Sequence, residues 1–459
     1  MRGPLSESKA ARWGVLALVA VIMVSACFFT DIMAPLKPML ESELGWRSDD
    51  YGLFTSAYGW LNIFFFMLIF SGIILDRKGI RFTGTLSALI MMTGAGIKCW
   101  AISSTFPESA RIFGVKSQVI FAALGFAIFG VGTEANFITF SKIIVKWFKG
   151  KELALAMGLQ VCMVRIGIIL SMVIPIPMVK AFGSISAPLV FCFILICAGF
   201  LLYLVYIAAD LRLEKERGAG TGADPSVTST DPSVTSADPN EKFQLADIGF
   251  ILKSRDFWII AMLCLLFYSG VFPFLKYSVD LMINKFNVRP DLAGNIPGFM
   301  PVGTLLLTPL FGHLYDRRGR GAGMIVLGAA LLMSIHVIFA LTFVRAWIVA
   351  VFLMLVMGVS ISLVPSALWP TVARLIPEKR LGTAFSLIFY MQNTGISATS
   401  FIIGKLLVKY CITGTNARGG STYDYTLPMT VFAAIGALAV IASLILKAEE
   451  RKKLSAGKL

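Results

Sequence analysis

Two opposite charges stand inside apolar stretches of this chain. Glu134 lies in FAIFGVGTEANFITFSK, and Arg165 lies in ELALAMGLQVCMVRIGIILSM. An ionisable side chain in such surroundings is costly to bury and marks a candidate functional group. Lys142 follows Glu134 by roughly 12 Å of helix, and Arg165 follows Lys151 by roughly 21 Å. Both depths fall inside a hydrocarbon core roughly 30 Å thick. A carboxylate there can receive an ammonium, and a planar guanidinium can clamp a carboxylate. Together they could hold the two ends of a small zwitterion. The same two residues could instead pin their helices as a structural ion pair. Arg165 acting alone would suit an organic anion.

Further polar groups interrupt apolar runs. Asp31 sits in CFFTDIMAP, at the interface or in a path. Tyr58, Trp60 and Asn62 fall in SAYGWLNIF, where Trp60 and Asn62 cannot share one helical face. Gln160 lies between the two charged candidates in sequence and could add a hydrogen bond. In FYSGVFPFLKYSVD, Pro273 should kink a helix, and Tyr268 and Lys276 fall on roughly one face. Lys276 and Asp280 have the i,i+4 spacing of a surface pair. Trp369 is bracketed by Pro365 and Pro370, as an interfacial anchor or as an apolar wall for a bound side chain. Gln392 and Asn393 break another apolar run, and one of them could face a cavity. His336 reads as a packing or hydrogen-bonding residue, with a proton relay as the alternative.

These residues need elements to hold them. A phrase occurs twice with one spacing, as Gly72, Asp76, Arg77, Lys78 and Gly79, and again as Gly312, Asp316, Arg317, Arg318 and Gly319. A repeat of this kind divides a chain into equivalent halves. The chain of 459 residues is 57% hydrophobic and 15% charged, with a mean hydropathy of +0.80. A soluble domain carries about 25% charge, so this is a membrane protein's composition. Twelve spans are expected near 13–34, 50–75, 82–103, 117–140, 151–175, 185–209, 256–280, 292–314, 322–341, 345–368, 382–406 and 428–447. The first reads as a retained helix, not a leader. Residues 212–253 include a tandem DPSVTST, DPSVTSA repeat and read as a flexible linker between residues 1–211 and 254–459.

Lys and Arg concentrate in the connections that lie on the side of the termini. The positive-inside rule then places both termini in the cytoplasm, with both copies of the phrase. The net charge of +15 is explained by this topology, not by nucleic acid. The seven cysteines are scattered and show no metal spacing or disulfide framework. No nucleotide loop, nucleophile elbow or metal cluster appears, so no enzyme and no cofactor is expected.

Six plus six spans carrying this phrase at equivalent places resemble the major facilitator superfamily, whose two six-helix bundles surround a central path. The resemblance implies alternating access. The glycines of the phrase would allow close helix approach, and its acids would cap or pair to hold the cytoplasmic end shut. On this basis Gly72, Asp76, Arg77, Gly79, Gly312, Asp316, Arg317 and Gly319 are gating candidates.

Three stretches narrow the likeness. GVGTEANFITFSKIIVKWFKGKELALAMGLQVCMVRIG, LFYSGVFPF and ALWPTVARLIPEKRLGTAFSLIFYMQNTG resemble the MFSD1-like transporters. The animal lysosomal member of that family is a dipeptide uniporter with a single-span accessory glycoprotein. The resemblance assigns an acidic site to Glu134 and a basic site to Arg165, for the two peptide ends. It sets Trp369 beside peptide side chains and also selects Asp31, Gln392 and Asn393. It thus implies alternating-access transport of short peptides, chiefly dipeptides. The alternatives are transport of small organic anions or other metabolites, and a non-transporting receptor. The start MRGPLSESKAARWG lacks an acidic dileucine signal, and the outer loops lack an Asn-x-Ser/Thr acceptor. A microbial homologue in the cell membrane, monomeric and without the accessory glycoprotein, is therefore expected.

Overall fold

The computed structural model describes residues 9–103, 106, 111–148, 152–221, 249, 251–318, 321–375, 381–416 and 419–455. Nearly all of this is helix. Inside lipid, a helix satisfies its own backbone hydrogen bonds, which makes it the natural form for long apolar runs.

The first half of the chain supplies α1 (Lys9–Asp31), α2 (Lys37–Glu43), α3 (Ser48–Ser56), α4 (Trp60–Phe64), α5 (Met67–Ile102), α6 (Ser117–Phe148), α7 (Leu153–Val173), α8 (Pro175–Phe182) and α9 (Ala187–Thr221). A 3-10 turn over Ala57–Gly59 joins α3 to α4. The second half supplies α10 (Arg255–Phe286), α11 (Pro290–Ala293), α12 (Asn295–Arg318), α13 (Gly321–Ala340), α14 (Trp347–Leu375), α15 (Leu381–Tyr410) and α16 (Thr426–Ser455). Two short antiparallel hairpins complete it. The first pairs β1 (Arg111–Ile112) with β2 (Val115–Lys116), and the second pairs β3 (Ile412–Thr415) with β4 (Ser421–Tyr423).

Among the described residues, nine helices are long and apolar enough to cross a membrane. The count is ten if Ser48–Phe64 and Met67–Leu75, which meet at 57°, form one broken span. Two of the expected spans, near 292–314 and 382–406, are helical as α12 and α15 but fall below that apolarity. Their polar residues explain this: α12 contains Asn295, Thr304, Thr308 and His313, and α15 contains Gln392, Asn393 and Thr394. The first residues of the expected linker, 212–221, continue α9 as helix, which runs to Thr221. Leu, Glu, Lys and Arg of LRLEKER are good helix formers, which explains the extension. Most of the rest of the linker lies outside the described residues.

Each half packs mainly on itself. In the first, α1 lies against α7 and α9, and α5 runs along α6. In the second, α14 lies against α12 and α13, and α16 against α13 and α10. The halves meet where α3 packs on α15, α7 on α12 and α2 on α10. Gly52 and Gly404 make the α3–α15 contact possible. A Cβ on Gly52 would lie 2.9 Å from the Gly404 Cα, and one on Gly404 would lie 2.5 Å from the Ser48 carbonyl oxygen. Neither helix could approach this closely with a side chain there.

Starts and breaks follow local chemistry. Ser254 opens α10, its Oγ accepting from the Phe257 N–H at 3.4 Å, with Asp256 in the first turn. Gly79, at φ +78°, interrupts α5 where the repeated phrase ends. A residue without a Cβ adopts that conformation freely.

Candidate functional site

Glu134 projects from α6 and Arg165 from α7, each half-buried. Tyr58, in the 3-10 turn, donates to Glu134 Oε1 at 3.0 Å. Arg165 lies within electrostatic reach of Tyr268 on α10 in the other half. Its Nε is buried and makes no hydrogen bond. Among the described residues Arg165 has no acidic partner, and Glu134 and Arg165 do not pair with each other. The structure therefore lacks the structural ion pair that the sequence allowed. Cys27 of α1 lies within electrostatic reach of both. Gly167 brings α7 onto that helix, where a Cβ would meet Cys27 Cβ at 2.6 Å.

The second half contributes an aromatic wall. The Trp369 ring lies 5.1 Å from Phe389 and 5.7 Å from Phe385, and Tyr268 stacks on Phe272 at 5.7 Å. Gln160 is committed elsewhere in the first half, donating to Ser141 Oγ at 3.0 Å. Asn393 donates back to its own helix at Phe389 O, 3.1 Å away. Gln392 Oε1 is buried without a partner, and both polar atoms of Asn62 are too.

Asp31 and Lys276 belong to a different place, the seam between the halves. Lys276 ion-pairs with Asp31 and donates to Thr30 O at 2.9 Å. The expected Lys276–Asp280 pair does not form. Asp280 instead pairs with Lys37 at 2.7 Å, and Lys37, 0% exposed, also holds Glu41 at 2.7 Å. Lys276 and Asp280 thus both reach across to the first half, where an ion of opposite sign offsets the cost of burying each. Tyr425 donates to Asp280, Tyr423 donates to Glu41 at 3.2 Å, and Ser48 donates to Glu41 at 2.9 Å. Tyr51 donates to Lys276 O at 3.0 Å and lies edge-on to Tyr277 at 5.4 Å. A cavity of about 180 Å³ opens over this network, lined by Glu41, Asp280, Asn284, Asn287 and the β3–β4 hairpin.

Lys37 and Glu41 escaped the sequence reading. Their i,i+4 spacing in a short connection was the available signal. Asp210 escaped too. It is buried in α9 and binds Arg81 at 2.7 Å and Lys146 at 2.7 Å, fastening α5, α6 and α9 together.

The described glycines of the repeated phrase are uncrowded. A Cβ on Gly72, Gly79 or Gly312 would meet nothing within 4 Å, and Arg77 and Arg317 are exposed. The side chains of Asp76 and Asp316, and Gly319, lie outside the described residues. At the end bearing α2 and the β3–β4 hairpin, the halves are joined by the Lys37–Asp280 and Lys276–Asp31 pairs.

His336 is fully buried between Phe274 and Phe432, at 4.9 and 5.2 Å. Its Nε2 meets Gly270 O at 3.0 Å, in the turn just before Pro273, where a proline loosens the backbone ladder. Packing accounts for it.

A long broken helix, two helix sets meeting along a polar seam, and unneutralised charges between them define a multi-pass membrane transporter. The chain belongs to the Major Facilitator Superfamily, whose model matches residues 19–400 and 281–458. It is 29% identical over 416 residues to the lysosomal dipeptide transporter MFSD1 of Mus musculus, covering 87% of this chain and 80% of that one. The corresponding Homo sapiens protein is 28% identical over 411 residues, covering 86% and 79%. The fold superposes on the nucleoside transporter NupG with a TM-score of 0.68 at 14% identity, over 94% of this chain and 99% of that one. It superposes on a POT family transporter in complex with a thioalcohol conjugated peptide with a TM-score of 0.66 at 14% identity, over 95% and 96%. These relatives are transporters, and this chain is a transport protein, not an enzyme.

Proposed function

We propose that the protein carries short peptides, chiefly dipeptides, across a membrane by alternating access. Glu134 binds the amino end and Arg165 the carboxylate. The observation that carries this reading is that these opposite charges are half-buried and unpaired with each other, so each awaits an ion of the opposite sign. The likeness to dipeptide transporters over most of the chain supports the substrate class. Trp369 with Phe385 and Phe389 forms an apolar wall for side chains, and Tyr58 orients the Glu134 carboxylate.

In this reading α12 and α15 are spans too, their polar residues tolerated because they face the path and not lipid. The fold then has twelve spans in two six-helix bundles, 1–211 and 254–459, with both termini cytoplasmic and the α2 end outside. The present conformation is the inward-facing one.

The test is uptake into proteoliposomes. Dipeptides with both ends free should compete, while N-acetylated and C-amidated forms compete at least about tenfold less. Glu134→Gln should abolish the penalty for N-acetylation, and Arg165→Ala the penalty for amidation. Equal competition by all forms would reject end recognition. A second reading, transport of an organic anion, rests on Arg165, a cation without an acidic partner among the described residues. Stabilisation by a monocarboxylate, with none by dipeptides, would select it.

A further inference from the structure

Asn62 is 4% exposed, and neither its Oδ1 nor its Nδ2 has a partner. A buried amide without hydrogen bonds is costly and rare, and such a group calls for an explanation. Its position supplies one. Gly59, one turn earlier, sits against α15, where a Cβ would lie 2.5 Å from Ser397 Oγ and 3.5 Å from Asn393 O. Phe66, one turn later, stacks on Tyr390 of α15 at 5.2 Å. Asn62 therefore lies along the turn of α15 that carries Gln392 and Asn393. Tyr58, one turn before Asn62 on the same face, holds Glu134.

The backbone is also irregular here. Phe66 adopts φ +52°, in the left-handed region, at the 57° break between the two helix pieces. A side chain other than glycine is strained there, and such strain concentrates at ligand clamps and switches. A discontinuous transmembrane helix is where carriers expose unsatisfied polar groups to a solute.

We infer that Asn62 reads the peptide bond itself, with Oδ1 accepting the amide N–H of the substrate and Nδ2 donating to a substrate carbonyl. The inference rests on the peptide reading of the Glu134–Arg165 cleft. With the two charged ends assigned there, the amide is the uncharged polar group of a dipeptide backbone that still needs partners. Gln392 Oε1, a second unpartnered acceptor, stands on the facing helix. The Phe66–Tyr390 stack lies next to Asn62 and parts to admit the amide. This site demands an N–H: an ester in place of the amide, or an N-methylated amide, leaves Oδ1 unsatisfied in a buried site.

The experiment measures binding and uptake of alanyl-alanine, its ester counterpart alanyl-lactate, and alanyl-sarcosine. It uses the wild type, Asn62→Leu and Asn62→Ser. Wild type should bind the amide at least about tenfold more tightly than the ester or the N-methyl compound. In Asn62→Leu that ratio should fall to near one. The ligand-free Asn62→Leu protein should melt at a higher temperature than wild type, because an unsatisfied buried amide is gone. Asn62→Ser, smaller and still polar, guards against misfolding of the leucine variant and should also lose the preference. Equal binding of amide and ester by wild type, or an unchanged ratio in both variants, would overturn the inference and leave end recognition standing. No binding of alanyl-alanine at all would remove the peptide reading and this inference with it.

Discussion

Lys276 of α10 ion-pairs with Asp31 of α1, and one turn further along α10 Asp280 pairs with Lys37. This base and this acid of α10 are each satisfied by the other half of the chain, in opposite senses. Charges buried in this way do little for net stability, but breaking one pair leaves its partner uncompensated at a cost of about 3–5 kcal/mol. Lys276→Gln and Asp31→Asn should each lower the melting temperature markedly, and the double variant should recover much of the loss. A double-mutant cycle by thermal unfolding checks this; additive effects would mean that the pair does not hold the seam.

The same seam depends on a glycine crossing. Gly404→Ala would place its new Cβ 2.5 Å from Ser48 O and 2.8 Å from Gly52 Cα, where backbone cannot yield. The variant should melt lower and label more readily at a cysteine introduced beside Tyr51. Gly72→Ala and Gly312→Ala meet nothing within 4 Å and lie inside helices, so their melting temperatures should match or slightly exceed wild type. If the repeated phrase closes in the other half of the cycle, those two variants should nevertheless lower turnover. Turnover equal to wild type would leave the phrase without a packing role.

Glu41 lies in α2, outside the spans. Burial pushes its pKa above the ordinary glutamate value, and nearby Asp280 adds to this; Lys37, shared between the two acids, opposes it. Folding therefore disfavours the ionised form of Glu41 relative to the exposed chain. This contribution to stability is full below about pH 4.3, the exposed value, and is lost as pH rises through the raised one. The cavity above the network gives water a route to the group. Melting temperature should fall with rising pH across that window in wild type, and Glu41→Gln should flatten this part of the profile. A slope unchanged by the substitution would assign it to another group.

The sequence was informative where one residue type settles a question on its own. Glycine spacing gave the duplicated phrase, and an acid and a base within apolar runs gave Glu134 and Arg165. What it could not give was pairing. The i,i+4 rule joined Lys276 to Asp280, yet both reach across to α1 and α2, since contacts between segments far apart in sequence leave no local periodicity. Asp31 and Lys276 pair with each other across the seam, a partnership between segments 245 residues apart. Lys37, Glu41 and Asp210 look like ordinary loop or helix-end charges until the fold buries them. Tyr58 was legible as a candidate, but its hydrogen bond to Glu134 needed the 3-10 turn that brings it round.

Arg165 offers the sharpest separation of function from stability. Arg165 is half-buried, has no acidic partner among the described residues, and leaves a buried Nε unbonded. An uncompensated buried cation weakens a fold, so Arg165→Met should raise the melting temperature or leave it unchanged. Uptake should fall at least about tenfold in the same protein, because the carboxylate of the substrate loses its clamp. Arg165→Lys keeps the charge but replaces a planar fork with a single ammonium, and should not restore uptake. Full uptake in Arg165→Lys would show that charge alone suffices there. A large drop in melting temperature for Arg165→Met would instead make the residue a structural element of the first half.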